Sequence, residues 1–465
     1  MTKQAQTPLQ QENKMRTMPL GRLLLTMALP LVISMLVQAL YNVVDSIYVS
    51  RISESAVTAL SLAFPVQNLL IGFATGVGVG VNSLLSKSLG EGNKERANAA
   101  AGNGIILMLL CVLLFMAFGV FGSHPYFAIQ SEVEETVEGG ASYIAICCIF
   151  SLGIFVEILG ERLLQAAGKT VYTLYTQGIG AIINIILDPV FIFGVPAIGI
   201  PAMGISGAAV ATVIGQWVAA ILSVFFNLKR NTDLEFHKRY FRLHADVVMP
   251  ILTVGVPSII MMAIGSVMTF GMNQILQGFK DYGETATGVF GIYFKLQSFF
   301  FMPIYGLNNA SVSILAYNYG AREPKRIIGT LKRALGVALS VMILGLLAFQ
   351  IVPGALLDIF EPSEQFKSIG CTALRIISWS FPLAAVGIVL SASFQALGTG
   401  IYSTIISLCR QLVVLLPVAY FMSLTRDLDA VWWAFPIAEV FSTALSMLYY
   451  GRIYRKKIRP LYEEN

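Results

Sequence analysis

The chain has 465 residues, 56% of them hydrophobic and only 12% charged, with a mean hydropathy of +0.73. A soluble globular protein carries about 25% charged residues, so a water-bathed surface is excluded and lipid must solvate most of the molecule. The net charge of +5 is not a nucleic-acid footprint, because the basic residues fall in short loops between apolar runs.

The N-terminal stretch MTKQAQTPLQQENKMRTMPLGR is polar and basic and is predicted to be a cytoplasmic tail over residues 1–22. The apolar stretch after it is too long for a signal-peptide core and lacks a small-residue cleavage site, so it is predicted to be a retained first span. A helix needs about 20 mostly apolar residues to cross the hydrocarbon core. With Pro, Gly and charge clusters as boundaries, twelve such segments follow: 26–50, 56–86, 97–121, 137–162, 170–194, 205–228, 247–276, 286–317, 328–352, 369–396, 401–424 and 431–451. The second and eighth exceed a single span and are expected to bend or to extend into the cytosol. All five cysteines lie inside these segments without metal or disulfide spacing, and read as small core residues.

Lys and Arg set the orientation. With the N-terminus in the cytoplasm, 24 basic residues fall on the cytoplasmic side, and only Arg51, Lys280, Lys367 and Arg426 fall on the other. Both termini are therefore expected in the cytoplasm of a multi-pass plasma-membrane protein.

The chain also repeats itself at an offset of 230 residues. FPVQNLLIGF at 64–73 lies over FKLQSFFFMP at 294–303, LLSKSLGEGNKERA at 84–97 over ILAYNYGAREPKRI at 314–327, and QAAGKTVY at 165–172 over QALGTGIY at 395–402. Six spans separate the copies, an even number, so both have the same orientation, as in transporters with parallel repeats. The predicted fold is an all-α integral membrane protein with twelve transmembrane helices in two six-helix bundles. The lobes cover 23–228 and 247–451, with a cytoplasmic linker at 229–246 and a cytoplasmic tail at 452–465.

Several polar residues interrupt the apolar spans. At about 100° per residue, Ser34, Gln38, Asn42 and Asp45 fall within an arc of roughly 80° on the first helix. Such a stripe must face protein or a water-filled cavity, since Asp at mid-bilayer costs ~2.5–3.5 kcal/mol on insertion scales. Asn184 and Asp188 share a face of the fifth span, followed by Pro189. A purely structural polar network would do as well with Asn or Ser, so two carboxylates in one lobe point to function. The repeat supplies a control: Asn184 and Asp188 map to Val414 and Val418, and the seventh span has Asn273 and Gln274 near the place of Asp45, with no acid. The second lobe instead holds Lys295, Arg410 and Glu439, either a structural ion-pair network or a cluster that contacts substrate or takes part in coupling. Glu157 and Glu161 lie on the fourth span, where Glu161 is expected to pair with Arg162.

Other motifs carry less. AAGKT at 166–170 ends like a phosphate loop but has Leu163 where the loop needs Gly, so ATP is not the expected energy source. GVGVG at 76–80 reads as close helix packing. The three histidines form no metal constellation.

The first span with Pro30, Gln38, Asn42 and Asp45, the GEGNKERA after the second, and NIILDPVFIFG followed by GISGAAVAT resemble multidrug and toxic compound extrusion (MATE) transporters. The resemblance covers essentially the whole chain. It implies two bundles around a cavity that opens alternately to either side, and export of organic compounds driven by protons or sodium ions. It also implies an ion-coupling cluster of Asp45, Asn184, Asp188 and Thr212, with Gln38, Tyr41 and Asn42 facing the substrate. Some family members place sodium-binding acids on the seventh and tenth spans; this sequence has none there. The expectation is a secondary active exporter of amphipathic, cationic compounds. It is expected to be a monomer without enzymatic activity, cofactor or nucleic-acid partner, with the proton as coupling ion and sodium at the same four residues as the alternative. The rival readings are a lipid-linked saccharide flippase of the same superfamily and a non-transporting receptor or scaffold.

Overall fold

Among the described residues, ten helices are long and apolar enough to cross a membrane, and two further helix pairs pass the same test together, each bent at a short break. The computed structural model describes residues 13–131, 133–196, 199–279, 282–360 and 363–463. Counting each bent pair once gives the twelve spans expected.

The first lobe comprises Leu20–Ser50, Glu54–Gly90, Lys94–Phe121, the pair Glu134–Ile149 and Leu152–Ala166, Val171–Ile192 and Ile205–Arg230. The second comprises Ala245–Gln277, Gly283–Gly320, Pro324–Ile351, the pair Glu364–Ser378 and Phe381–Ala396, an eleventh span over 400–423, and a twelfth built on Ala434–Ile453. Local chemistry starts several of these helices. The side chains of Ser53, Asn93 and Ser363 accept from the amides of Ala56, Arg96 and Phe366, satisfying donors that a first turn leaves free.

The repeat extends to local geometry. The fourth span bends by 47° and the tenth by 48°, at breaks that fall within one residue of the 230-residue offset. Left-handed turns recur at the same offset: Gly92 (φ 73°) and Arg322 (φ 56°), then Gly168 (φ 76°) and Gly398 (φ 68°). The second and eighth spans, expected to bend or to extend into the cytosol, are each one continuous helix, of 37 and 38 residues, longer than a single crossing needs. They form the centre, with 78% and 61% of their apolar windows buried. The third and ninth lie at the periphery, 28% buried, with Leu110, Leu113, Leu114 and Leu344 turned outward to lipid.

The lobes meet through the second span against the seventh and the first against the eighth. This contact is intimate enough to exchange core residues. Leu23, Leu24, Met27 and Leu31 of the first span are buried in the second lobe's core, and Val247 and Ile251 of the seventh in the first lobe's. Gly76 and Gly255 allow the backbones to touch: a Cβ on either would lie 2.8–2.9 Å from the other's carbonyl oxygen. Ser83 donates to the carbonyl of Gln395 (2.8 Å) and Ser313 to Oδ1 of Asn82 (3.1 Å), joining the lobes near the ends that carry the basic loops.

The N-terminal segment adds a strap. Arg326 donates to the carbonyls of Met15 (2.9 Å) and Met18 (2.8 Å), and the Met15 side chain is fully buried among second-lobe residues. Asn13 donates to the carbonyl of Ala167 in the first lobe (3.5 Å). The polar tail is therefore helical and docked over Lys14–Thr17.

Candidate functional site

In the first lobe the fifth span packs against both the first and the sixth. Helical spacing puts Asn184 and Asp188 on one face, and the sixth span presents Thr212 to them. The amide of Asn184 donates to Oδ1 of Asp188 (3.2 Å) and to Oγ1 of Thr212 (3.3 Å). Asp188 is fully buried and Asn184 nearly so. Ser34 on the first span donates to the carbonyl of Thr173 (3.4 Å), fixing that span against the fifth. Asp45, half-buried, lies within electrostatic reach of Asp188. Among the described residues, three buried oxygens have no hydrogen-bond partner: Asp45 Oδ1, Asp188 Oδ2 and Asn184 Oδ1. Unpaired buried acceptors are costly, and these three belong to two carboxylates within electrostatic reach of each other and to the amide bonded to one of them. That arrangement suits a small hard cation or a proton, which would satisfy oxygens and offset the repulsion between like charges.

Tyr41 and Gln38 are half-buried on the same helix. Tyr41 is within electrostatic reach of Asp45, Asp188 and Glu157, which brings a residue expected to face substrate close to those expected to hold the ion. The side chain of Asn42 lies outside the described residues.

The expected pairing of Glu161 with Arg162 is not what holds Glu161. Its two oxygens accept from Thr176 (2.6 Å) and Gln177 (2.8 Å), while Arg162 donates to Gln165 (3.0 Å). Successive helix residues point about 100° apart, so Arg162 stays within electrostatic reach of Glu161 without closing a salt bridge, and Glu161 faces the fifth span. Tyr143 is a further contributor: its hydroxyl accepts from Gln67 (2.7 Å) and it lies within reach of Asp45. Gln67 was legible as a repeat position; its partner on the fourth span was not.

In the second lobe, Arg410 Nη1 meets Glu439 Oε1 at 2.9 Å. Lys295 does not join them: it is exposed on the eighth span and makes no side-chain hydrogen bond or ion pair among the described residues. Its place beside the pair is taken by Tyr293 and Tyr305, both within electrostatic reach of Arg410 and Glu439. Positions 293 and 295 lie about 200° apart on a helix, so only one of them can face inward.

The MatE family model matches residues 30–190 and again 257–421, one match in each lobe. The chain is 28% identical over 439 residues to the probable multidrug resistance protein YoeA of Bacillus subtilis, covering 92% of this chain and 93% of that one. It is 24% identical over 422 residues to the multidrug export protein MepA of Staphylococcus haemolyticus, covering 90% and 91%. Among solved structures, it superposes on an outward-facing multidrug resistance MATE family transporter of the MOP superfamily with a TM-score of 0.89 and 25% identity, covering 98% of this chain and 99% of that one. A MOP superfamily transporter from Pyrococcus furiosus, described as having a binding pocket of reversed polarity, gives the same TM-score and identity over 97% and 99%.

Proposed function

The chain belongs to the MATE family of membrane transporters, and from that premise we propose that it exports amphipathic organic cations by ion antiport. The observation that carries this is the first-lobe cluster, where Asp45 and Asp188 lie within electrostatic reach of Tyr41 and, with Asn184, leave three buried oxygens unpartnered among the described residues. Buried carboxylates inside membrane helices mark ion and substrate paths by default. The multidrug names carried by YoeA and MepA support the substrate class. A cation entering the cluster satisfies those oxygens, changes how the first helix packs, and weakens the hold of the same space on a cationic drug. The proton is the coupling ion we favour, with both termini cytoplasmic and the chain working as a monomer in the plasma membrane. Sodium is the second reading, favoured by the three open oxygens, which a metal ion satisfies together and a proton only singly.

The test uses proteoliposomes loaded with a cationic dye and given a proton gradient or a sodium gradient separately. Dye movement driven by the proton gradient alone supports proton antiport, and movement that needs sodium at constant pH shifts the same residues to sodium. Dye movement indifferent to both sinks the antiport reading.

A further inference from the structure

The first lobe holds an apolar cavity apart from the ion-coupling cluster. The third and sixth spans both pack against the Leu152–Ala166 half of the fourth and scarcely meet each other, so a groove runs between them. Ile105 and Met108 form one wall, Val224 and Leu228 the other, and Val156 and Leu159 the floor. Phe236 of the linker closes the end on the side of the basic loops, and the enclosed space is about 220 Å³. Gly160 draws the sixth span onto the fourth, since a Cβ there would lie 2.5 Å from Ser223 Oγ. The repeat puts Leu390 at that position, so the second lobe cannot pack its last span in the same way.

The lining decides what can enter. Drug-sized ligands occupy pockets of about 300–1,000 Å³ with a few convergent polar groups, and this space is smaller and offers none. Asn227 is the one polar side chain on its wall, and it is fully committed. Its amide donates to the carbonyls of Gly160 (2.8 Å) and Ser223 (2.8 Å), and its oxygen accepts from Asn231 (3.0 Å). A polar group placed here would lose its water and find no partner. Val224 and Leu228 are exposed, so the groove opens to the hydrocarbon that bathes the sixth span. A single acyl chain fits both the width and the chemistry.

The chain alone gives little affinity, because lipid tails are as apolar as the groove. The headgroup must supply it, and the roof supplies the charge. Residues 229–244 carry five Lys and Arg against two acids. Glu235 and His244 donate backbone N–H groups to Asn98 (2.9 Å) and Asn103 (3.0 Å), which lays this segment along the third span just above Ile105. Phe241 and Leu243 are 40% and 54% exposed although they lie between helices, as expected of a segment resting on the bilayer surface. Arg239 faces Glu95 at 3.8 Å. Lys238 and Arg242 are exposed and make no ion pair or side-chain hydrogen bond among the described residues. Basic groups at the mouth of a groove between membrane helices suit an anionic headgroup. We propose that this groove binds an anionic phospholipid of the leaflet that the basic loops face, with one acyl chain between the third and sixth spans beneath Phe236 and the phosphate on Lys238 and Arg242.

The test is lipid binding to the purified, delipidated full-length chain, read by native mass spectrometry. The probes are dioleoyl phosphatidylglycerol, an anion, and dioleoyl phosphatidylcholine, a zwitterion with the same chains. The unmodified chain should hold the anionic lipid at least about tenfold more tightly. Lys238→Gln combined with Arg242→Gln should bring the two lipids within about twofold of each other. Ile105→Phe, which fills the groove, should weaken binding of the anionic lipid at least about tenfold. Leu344→Phe, on the lipid-facing side of the ninth span, should leave it within about twofold. No preference in the unmodified chain, a preference that survives loss of both cations, or equal effects of Ile105→Phe and Leu344→Phe would overturn the proposal. Thermal unfolding shows whether Ile105→Phe keeps its fold; if it does not, Val156→Phe fills the groove from its floor and decides instead. No transport is measured, so the result stands apart from the exporter reading.

Discussion

Gly90 and Gly320 occupy equivalent places in the two lobes, and each lies against the backbone of the other's helix. A Cβ on Gly90 would collide with the carbonyl of Tyr317, and a Cβ on Gly320 with that of Lys87, itself the repeat partner of Tyr317. The pseudo-two-fold relation between the lobes thus runs through this contact. Gly90→Ala should force the second and eighth spans apart at this end, at a cost of about 1–3 kcal/mol for overpacking. A lower thermal midpoint and greater thiol labelling of a cysteine at Lys94 are the expected readouts. An unchanged midpoint with unchanged labelling would remove the contact from any account of how the lobes are held.

Asp45→Asn and Asp188→Asn keep side-chain shape while removing a charge from the first-lobe cluster. Each should abolish dye efflux driven by an ion gradient and leave dye binding to the purified protein within about threefold. Efflux at the unmodified rate in either variant would make that acid structural.

Glu439→Ala should strand the Arg410 guanidinium. Breaking a buried pair from one side costs about 3–5 kcal/mol, so the melting temperature should fall well below that of Arg410→Gln combined with Glu439→Gln, which removes both charges. Similar melting temperatures for the two would show that the pair carries little of the lobe's stability.

The strap gives a pH dependence with a definite sign. Burial against the loop at Gly168, and then the neighbouring Lys169 ammonium, hold the Lys14 pKa below its ordinary 10.5. A lysine whose charged form is disfavoured in the folded state costs stability while protonated. That cost fades as pH rises through the folded pKa toward 10.5. Lys14→Met should therefore be more stable than the unmodified chain at neutral pH, with the difference shrinking as pH rises. A difference that does not vary with pH would show that Lys14 is not strained by charge.

Sidedness is open to direct labelling in a background without the native cysteines. Gln130 and Ser363 are exposed between spans at one face, Lys94 and Thr232 at the other. Cysteines at the first two should react with an impermeant reagent from outside intact cells, and those at the last two only after permeabilisation. Reversal at either pair would overturn the assigned orientation.

The span count, the repeat and the first-lobe cluster were legible because each rests on a local pattern. Apolar length reports the bilayer, a fixed offset reports duplication, and Asp45, Asn184 and Asp188 stand out as polar atoms in apolar helices. Contacts between spans were less so. Lys295 and Arg410 look alike in a hydropathy trace, yet only Arg410 turns inward, because helix rotation is set by packing rather than by composition. The bend at 150–151 was hidden because no proline marks it, whereas the one at 379–380 left a sign in Pro382, which sits in the first turn of the helix that follows the break. The docked strap was invisible because Lys14–Thr17 holds one apolar side chain, Met15, whose receptor lies three hundred residues away.

That separation bears on how the molecule is made. Met15 and the Leu23–Leu31 face leave the ribosome long before Asn318 and Arg326 exist to receive them. The first helix must then be held at the insertion machinery, or in lipid with its core face uncovered, until the eighth helix is threaded beside it. Translation order and assembly order therefore differ. A pause, a truncation or a nick in the 231–244 loop would strand a half-protein whose first helix has no hydrophobic seat, and quality-control proteases recognise intermediates of that kind.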